Sequence, residues 1–196
     1  FLQMNGCTAG AGEIDLAKVE EPVNRWIVAE YNEAIAKTTA AIEAYRFNEA
    51  ADALYSFVWH FYCDWYVELI KPQLDGEATE TRATAAAILA GSLRLLHPIM
   101  PYLTEELNEK IFASSDMMIA EAWPYPVALP ETDSPKEIGF VINLISDIRY
   151  IRSEMNVPLS AKPVLQLRGA SDLQTRSVEV NLSLIHISEP TRPNEI

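Results

Sequence analysis

Cysteine, histidine and glycine are scarce in this chain of 196 residues, and positive charge is scarcer than negative. The two cysteines, Cys7 and Cys63, lie far apart and belong to no CxxC pair, which excludes a disulfide framework. They fit a reducing compartment, and neither has a partner base that would make it a nucleophile. Three histidines, His60, His97 and His186, form no ligand cluster in sequence, so no metal site is expected. No apolar run is long enough to cross a bilayer. The opening FLQMNGCTAGAGE also lacks the basic start and apolar stretch of a signal peptide, so a cytoplasmic protein with no membrane partner is expected. Gly10 and Gly12 follow no strand, which excludes a phosphate-cradling loop there. Fifteen Lys and Arg against 28 Asp and Glu leave a net charge of −13, which excludes a general nucleic-acid binder. Any RNA contact must come from a local patch, with the acidic remainder facing away.

What is present is apolar residues at helical spacing. They make up 49% of the chain, enough for a core that needs no staples. The first dozen residues read as small and flexible. From Pro22 onward, Val23, Trp26, Ile27, Tyr31, Ala34, Ile35, Thr38, Ile42 and Tyr45 recur at three- and four-residue steps, while Asn24, Glu33 and Lys37 fall off the stripe. A second helix is predicted from Phe47 to Lys71, stopped by Pro72. One of its stripes reads Phe47, Ala51, Leu54, Val58, Phe61 and Trp65, and a neighbouring one reads Tyr55, Trp59, Tyr62 and Tyr66. So wide an apolar face predicts a helix at the centre of a bundle, with these aromatics as core rather than as a base-stacking platform. Asp52, Ser56, His60, Asp64 and Glu68 are its polar remainder.

A third helix is predicted over Thr79 to Leu96, with Ala85, Ile88, Leu89, Leu93 and Leu96 inward, and His97-Pro98-Ile99-Met100-Pro101 interrupts it. A fourth runs to Phe112 with Leu103, Leu107 and Ile111 on one side. A proline-bearing connection then spans Ala113 to Asp133. Ser134-Pro135-Lys136-Glu137 reads as a capping box opening a helix that ends near Asn156 and buries Val141, Leu144, Ile148, Ile151 and Met155. Pro163 to Leu167 alternates as a short strand, and Asp172 to Asn181 begins a further helix. The expected class is therefore mainly α, a helical bundle with a short, incomplete α/β extension at the C-terminus. The stretch from Leu182 to Ile196 fits nothing before it. Its LSLIHISEPTR resembles the in-frame translation of a sequencing-library adapter and is set aside as non-native.

Five blocks occur in an order that carries a resemblance: Asn24-Arg25-Trp26-Ile27; RFNEAADALYSFVWHFYCDWYVELIKPQL from Arg46 to Leu74; LLHPIMPYLTEELNEKI from Leu95 to Ile111; EAWP from Glu121; and IRYIRSEMNVPLSAK from Ile148 to Lys162. Together they resemble the region after the catalytic core in the class I synthetases, and the valyl-tRNA synthetase family in particular. Cys63-Asp64-Trp65-Tyr66 followed by Lys71-Pro72 is the most discriminating part, and Asn108 departs from the aromatic residue common there. The resemblance implies an anticodon-binding helical bundle over residues 22–133. Residues 1–21 would be a flexible leading segment arriving from a catalytic core absent here, and 134–181 the last bundle helix with the start of a small α/β region. It implies tRNA, through its anticodon stem-loop, and that catalytic domain as partners. It also implies an intact valine-tRNA ligase that consumes ATP with magnesium.

The signatures of that chemistry do not occur in this chain, so no catalytic or metal-binding residue and no cofactor is expected in it, and the piece itself should be inactive. The family's layout places the chain entering the bundle near the anticodon, which makes Phe1, Met4, Asn5, Asn24 and Arg25 the leading tRNA contacts. Arg149 and Arg152, with Lys162, form a second candidate patch, for which a plain solvated face is an equal reading. His60 is expected to be solvated and His97 to cap or pack. Glu20-Glu21 and Glu105-Glu106 read as helix-start charges. The alternative function is a free-standing acidic helical bundle that binds another protein.

Overall fold

The computed structural model describes residues 1–8, 14–74, 76, 78–113, 116–130, 133–158 and 175. The chain divides into two compact units, Phe1–Glu131 and Thr132–Ile196. In the first, helices α1 (Pro22–Glu43), α2 (Phe47–Tyr55), α3 (Val67–Ile70), α4 (Thr79–Leu96) and α5 (Pro101–Phe112) form the expected bundle. Ser56–Tyr66, between α2 and α3, is π-helical, and a 3-10 turn over Lys71–Gln73 closes that long rod.

Helix α1 begins at Pro22, where a missing N–H costs nothing, yet Glu21 before it supplies no side-chain cap. The cap comes from another helix. The Glu80 carboxylate, in the first turn of α4, accepts from the backbone N–H groups of Glu20 and Glu21 at 3.0–3.1 Å. At the far end Arg46 N–H reaches Ala41 O at 2.8 Å and Tyr45 N–H reaches Ile42 O at 2.9 Å, a closing motif that puts Tyr45 at φ 58°. Tyr45 therefore lies exposed beyond the helix instead of extending the apolar stripe, and Ile42 is half-buried. The rest of the stripe, Val23 to Thr38, is buried as expected.

The second rod corrects the sequence reading. Its buried residues are Ala50, Leu54, Phe57, Tyr62, Tyr66, Leu69 and Ile70, while Phe47, Tyr55 and Trp59 are exposed and Phe61 and Trp65 only partly buried. A π-helix bonds i to i+5 and turns more slowly than an α-helix, so a stripe drawn at α-spacing drifts off the core through Ser56–Tyr66. Phe57 comes in, and Trp59 goes out. Tyr62 donates to Ala85 O at 2.7 Å and Tyr66 to Asn24 Oδ1 at 2.9 Å, so both buried hydroxyls are satisfied.

Helix α4 has the predicted bounds. It is lined with Thr84, Ala85, Ala86, Ala90 and Gly91, whose small side chains admit a close neighbour. That neighbour is Tyr31 of α1: a Cβ on Gly91 would lie 1.9 Å from the Tyr31 hydroxyl. Leu89 and Leu96 are only partly buried, and Leu95 takes the fully buried place. In α5 the inward residues are Thr104 and Asn108, with Leu103 exposed, the reverse of the expectation. Thr104 is drawn in by His97, whose Nδ1 lies 2.8 Å from its hydroxyl, and by the Met100 and Pro101 carbonyls. His97 packs as predicted. The proline-bearing connection is tied to α1: Asn32 exchanges two hydrogen bonds with the Val127 backbone, and the Trp123 indole donates to Thr39.

In the second unit α6 spans Ser134–Glu154. Asp133, not Ser134, holds the N-cap place and no side-chain cap bond forms, so the predicted capping box is absent. Ile138, Val141 and Ile145 are its buried residues, whereas Ile151 and Met155 are exposed near the end of the helix. Asn156, at φ 50°, closes the helix through Val157 N–H to Arg152 O at 2.9 Å. The predicted strand over 163–167 lies outside the described residues, as does the helix predicted over 172–181 apart from Thr175, which is helical. The same is true of the stretch from 182 to 196.

Candidate functional site

One end of the bundle collects the start of α1, the end of α3, the start of α4 and the end of α5. Two side chains from the first turn of α4 organise it. Glu80, besides capping α1, accepts from Asn24 Nδ2 at 2.8 Å, and Asn24 also donates to Thr81 at 3.2 Å. With Tyr66 donating to its oxygen, Asn24 is fully buried and its amide fully used. The expectation of Asn24 as an RNA contact is thereby corrected. The helical stripe omitted it because it is polar, and its burial is compensated by partners from two other helices.

Arg82 holds the leading segment. Its guanidinium donates to Asn5 O at 3.0 Å, Gly76 O at 3.1 Å and Leu74 O at 2.6 Å. Residues 1–8, expected to be flexible, contain a definite turn: Gln3–Asn5 is 3-10, Gly6 follows at φ 70°, and Cys7 N–H returns to Leu2 O at 2.9 Å. Cys7 is fully buried, and burial pushes its thiol up in pKa, so it is held as the unreactive thiol. Gln3 bonds the Lys110 carbonyl at 3.2 Å, fastening the turn to the end of α5.

This anchoring leaves the apolar ends outward. Phe1 is 45% exposed and Met4 90% exposed. The Lys71 ammonium sits 5.5 Å from the Phe1 ring centroid, within cation–π range, and pairs with Glu68. Asn5 turns its amide onto Phe1 O at 2.9 Å. At the start of α1, Arg25 spends its Nε on Val19 O at 2.8 Å. Most described cations face a carboxylate, as in Lys18–Asp15, Lys37–Glu33, Arg46–Glu49, Arg94–Glu121 and Lys110–Glu106. Among the described residues Arg25 and Arg82 bond carbonyl oxygens rather than forming an ion pair, at an end of the bundle that also carries the Glu80 carboxylate. The structure thus brings Phe1, Met4, Asn5 and Arg25 to one end, joined through the first turn of α4.

Arg149 and Arg152 belong to the second unit. They lie three residues apart on α6, both half-buried, with Arg152 donating to Pro158 O at 3.1 Å. Arg82, Glu80 and Lys71 were missed by the sequence reading. One signal was available: Arg82 opens a helix, where the macrodipole repels a cation, so a tertiary partner had to hold it.

Residues 24–167 match the family described as the anticodon-binding domain of tRNA ligase. The chain is 47% identical over 179 residues to a valine–tRNA ligase of Caulobacter vibrioides, covering 87% of this chain and 20% of that protein. It is 40% identical over 208 residues to the one of Rhodopseudomonas palustris, with 87% and 22% covered. The corresponding protein of Rhizobium meliloti is 39% identical over 193 residues, with 94% and 20% covered. The chain spans about a fifth of the length of these curated relatives.

Proposed function

The chain belongs to the family of anticodon-binding domains of tRNA ligases, and we propose that it is the tRNA-anticodon-binding part of a valine-tRNA ligase. The observation that carries this reading is the family match over residues 24–167, and the end of the bundle where Phe1 and Met4 stand exposed and Arg25 bonds only the Val19 carbonyl supplies a surface for it. Sequence-specific RNA binding favours unstacked loop bases, which stack on exposed aromatic or planar groups at about 1–3 kcal/mol per base. Phe1 offers the ring. Arg25, fixed by one carbonyl, offers its remaining donors to a phosphate. Arg149 and Arg152 are proposed as a separate set of contacts to the same RNA.

In the intact protein the reaction would join valine to tRNA at the expense of ATP with magnesium. The residues here do not fit those groups: among the described residues no three His, Cys, Asp or Glu side chains converge, and Glu80 is consumed in capping α1. That chemistry, and a cytoplasmic setting, are proposed for the whole ligase. Among the described residues no helix is long and apolar enough to cross a membrane.

The test is binding of a tRNA transcript with a valine anticodon to the 196-residue chain. Weak binding that falls when the anticodon is replaced, and again in R25A, is expected, with no aminoacylated product. Binding indifferent to the anticodon would overturn the reading in favour of a helical bundle made for a protein partner.

A further inference from the structure

Of residues 1–8 only Cys7 is buried, so side-chain packing does little to offset the entropy lost in ordering this segment. What fixes it is a chain of hydrogen bonds rooted in α4. Arg82 Nε donates to Asn5 O at 3.0 Å, and Asn5 Nδ2 in turn donates to Phe1 O at 2.9 Å. Two bonds therefore join the Phe1 backbone to the first turn of α4. The leading turn also closes over the arginine itself: Gly6, at φ 70°, would place a Cβ 3.8 Å from Arg82 Cδ. The other guanidinium nitrogens hold Leu74 O at 2.6 Å and Gly76 O at 3.1 Å, so the turn and the backbone ahead of α4 share one anchor. A further tie, from Gln3 to the Lys110 carbonyl at 3.2 Å, is exposed to competing water.

The residue type suits this task. Three carbonyls met by three nitrogens need the planar fork of arginine, whereas lysine presents a single nitrogen. The same geometry sets Arg82 apart from Arg25. Each of its nitrogens already donates to a protein carbonyl and the side chain is half-buried, so a phosphate would have to compete with three bonds in place. A cation in the first turn of α4 is opposed by the helix macrodipole, and it is kept there by contacts that order residues outside that helix.

We propose that Arg82 is a positioning residue for anticodon recognition: acting through Asn5, it holds the Phe1 ring where an unstacked base can lie on it, and it touches no RNA itself. This rests on the proposed function, in which Phe1 supplies that ring. The physical reason is preorganisation. A ring fixed beforehand loses no freedom when the base arrives, whereas a loose one must be ordered at the expense of binding.

The experiment uses the 196-residue chain and its Arg82→Gln, Arg82→Lys and Gly6→Ala variants. Each is titrated with a tRNA transcript carrying a valine anticodon and with one whose anticodon is replaced. Alkylation of Cys7 by iodoacetamide, read by peptide mass spectrometry with the exposed Cys63 as reference, reports whether the turn is closed. R82Q is expected to keep a cooperative melt and to alkylate at Cys7 severalfold faster. It should bind the valine transcript roughly 5- to 150-fold more weakly, the factor one stacked base is worth, and lose most of its anticodon preference. Its slope of log K against log salt stays that of the parent, because stacking releases no counterions. R82K keeps the charge without the fork and behaves like R82Q. G6A strains the turn at its positive φ without touching α4, moves Cys7 alkylation and anticodon preference the same way by less, and carries the test if R82Q does not fold.

An R82Q or R82K chain that still prefers the valine anticodon overturns the inference and leaves the proposed function standing, as does a G6A chain whose Cys7 opens with the preference intact. Lost preference with Cys7 still protected, or a salt slope reduced by one contact's worth, makes Arg82 a direct RNA contact and overturns the inference too. A parent chain indifferent to the anticodon overturns the proposed function and this inference together.

Discussion

The contact between Gly91 and Tyr31 shows how little room a single atom has in this core. A methyl group at residue 91 would fall 2.6 Å from the Tyr31 ring carbon that bears the hydroxyl, and that ring is walled in by Phe57. Neither side can yield cheaply. We expect G91A to destabilise the chain by about 1–3 kcal/mol in urea unfolding. Shortening Tyr31 to leucine in the same protein should recover part of the loss. Glu30, one residue earlier on α1, tests a different balance. Burial raises its pKa above the ordinary 4.5, the neighbouring Glu33 adds to this, and the Trp26 indole and Lys37 oppose it. Because the folded pKa is the higher one, the fold favours the protonated acid. That contribution is complete below the unfolded pKa and is lost as pH rises through the folded value. E30Q should therefore melt higher than the parent at neutral pH, and the gap should close under acid conditions. A gap independent of pH would show that the carboxylate is not the cause.

Among the elements, the rod from Phe47 to Gln73 separates what spacing reveals from what it hides. Its length and its stop at Pro72 were legible, because a proline cannot donate into a helix and a long apolar run without glycine has nowhere else to break. Its inward face was not legible. Aromatics stand at seven of the twelve positions from Tyr55 to Tyr66, distributed around the helix, so the composition fits either face, and only the slower π turn decides between them. We expect F57A to cost about 3–5 kcal/mol and W59A about 1 kcal/mol or less when thermal unfolding of the two is compared. The opposite order would return the rod to α-spacing. Helix α5 failed for another reason. Thr104 and Asn108 look like surface residues, and the His97 partner that draws Thr104 inward comes from the preceding break, which spacing within one helix cannot reveal. The bounds of α4 and α5, by contrast, follow from local punctuation and match the structure.

For the molecule as a whole, an acidic chain gathers two arginines held by backbone carbonyls and two exposed apolar side chains at one end of the bundle. So few cations limit how many counterions RNA binding can release. The slope of log K against log salt should be shallow, about −1 to −2 at roughly 0.7 per phosphate neutralised on a single strand, and R25A should lower it by about one contact's worth. A steep slope would mean that a broad basic surface, not this end, holds the RNA. The helical class, the limits of the main helices and the family resemblance all follow from local signals: prolines, apolar periodicity and ordered motifs. Tertiary structure alone decided that Asn24 is buried, that Arg82 folds the first eight residues against α4, and that Glu80 caps a helix it does not belong to. Each of these joins residues far apart in sequence, and a polar or aromatic side chain takes its place from the partner that satisfies it, which no repeat along a single helix encodes.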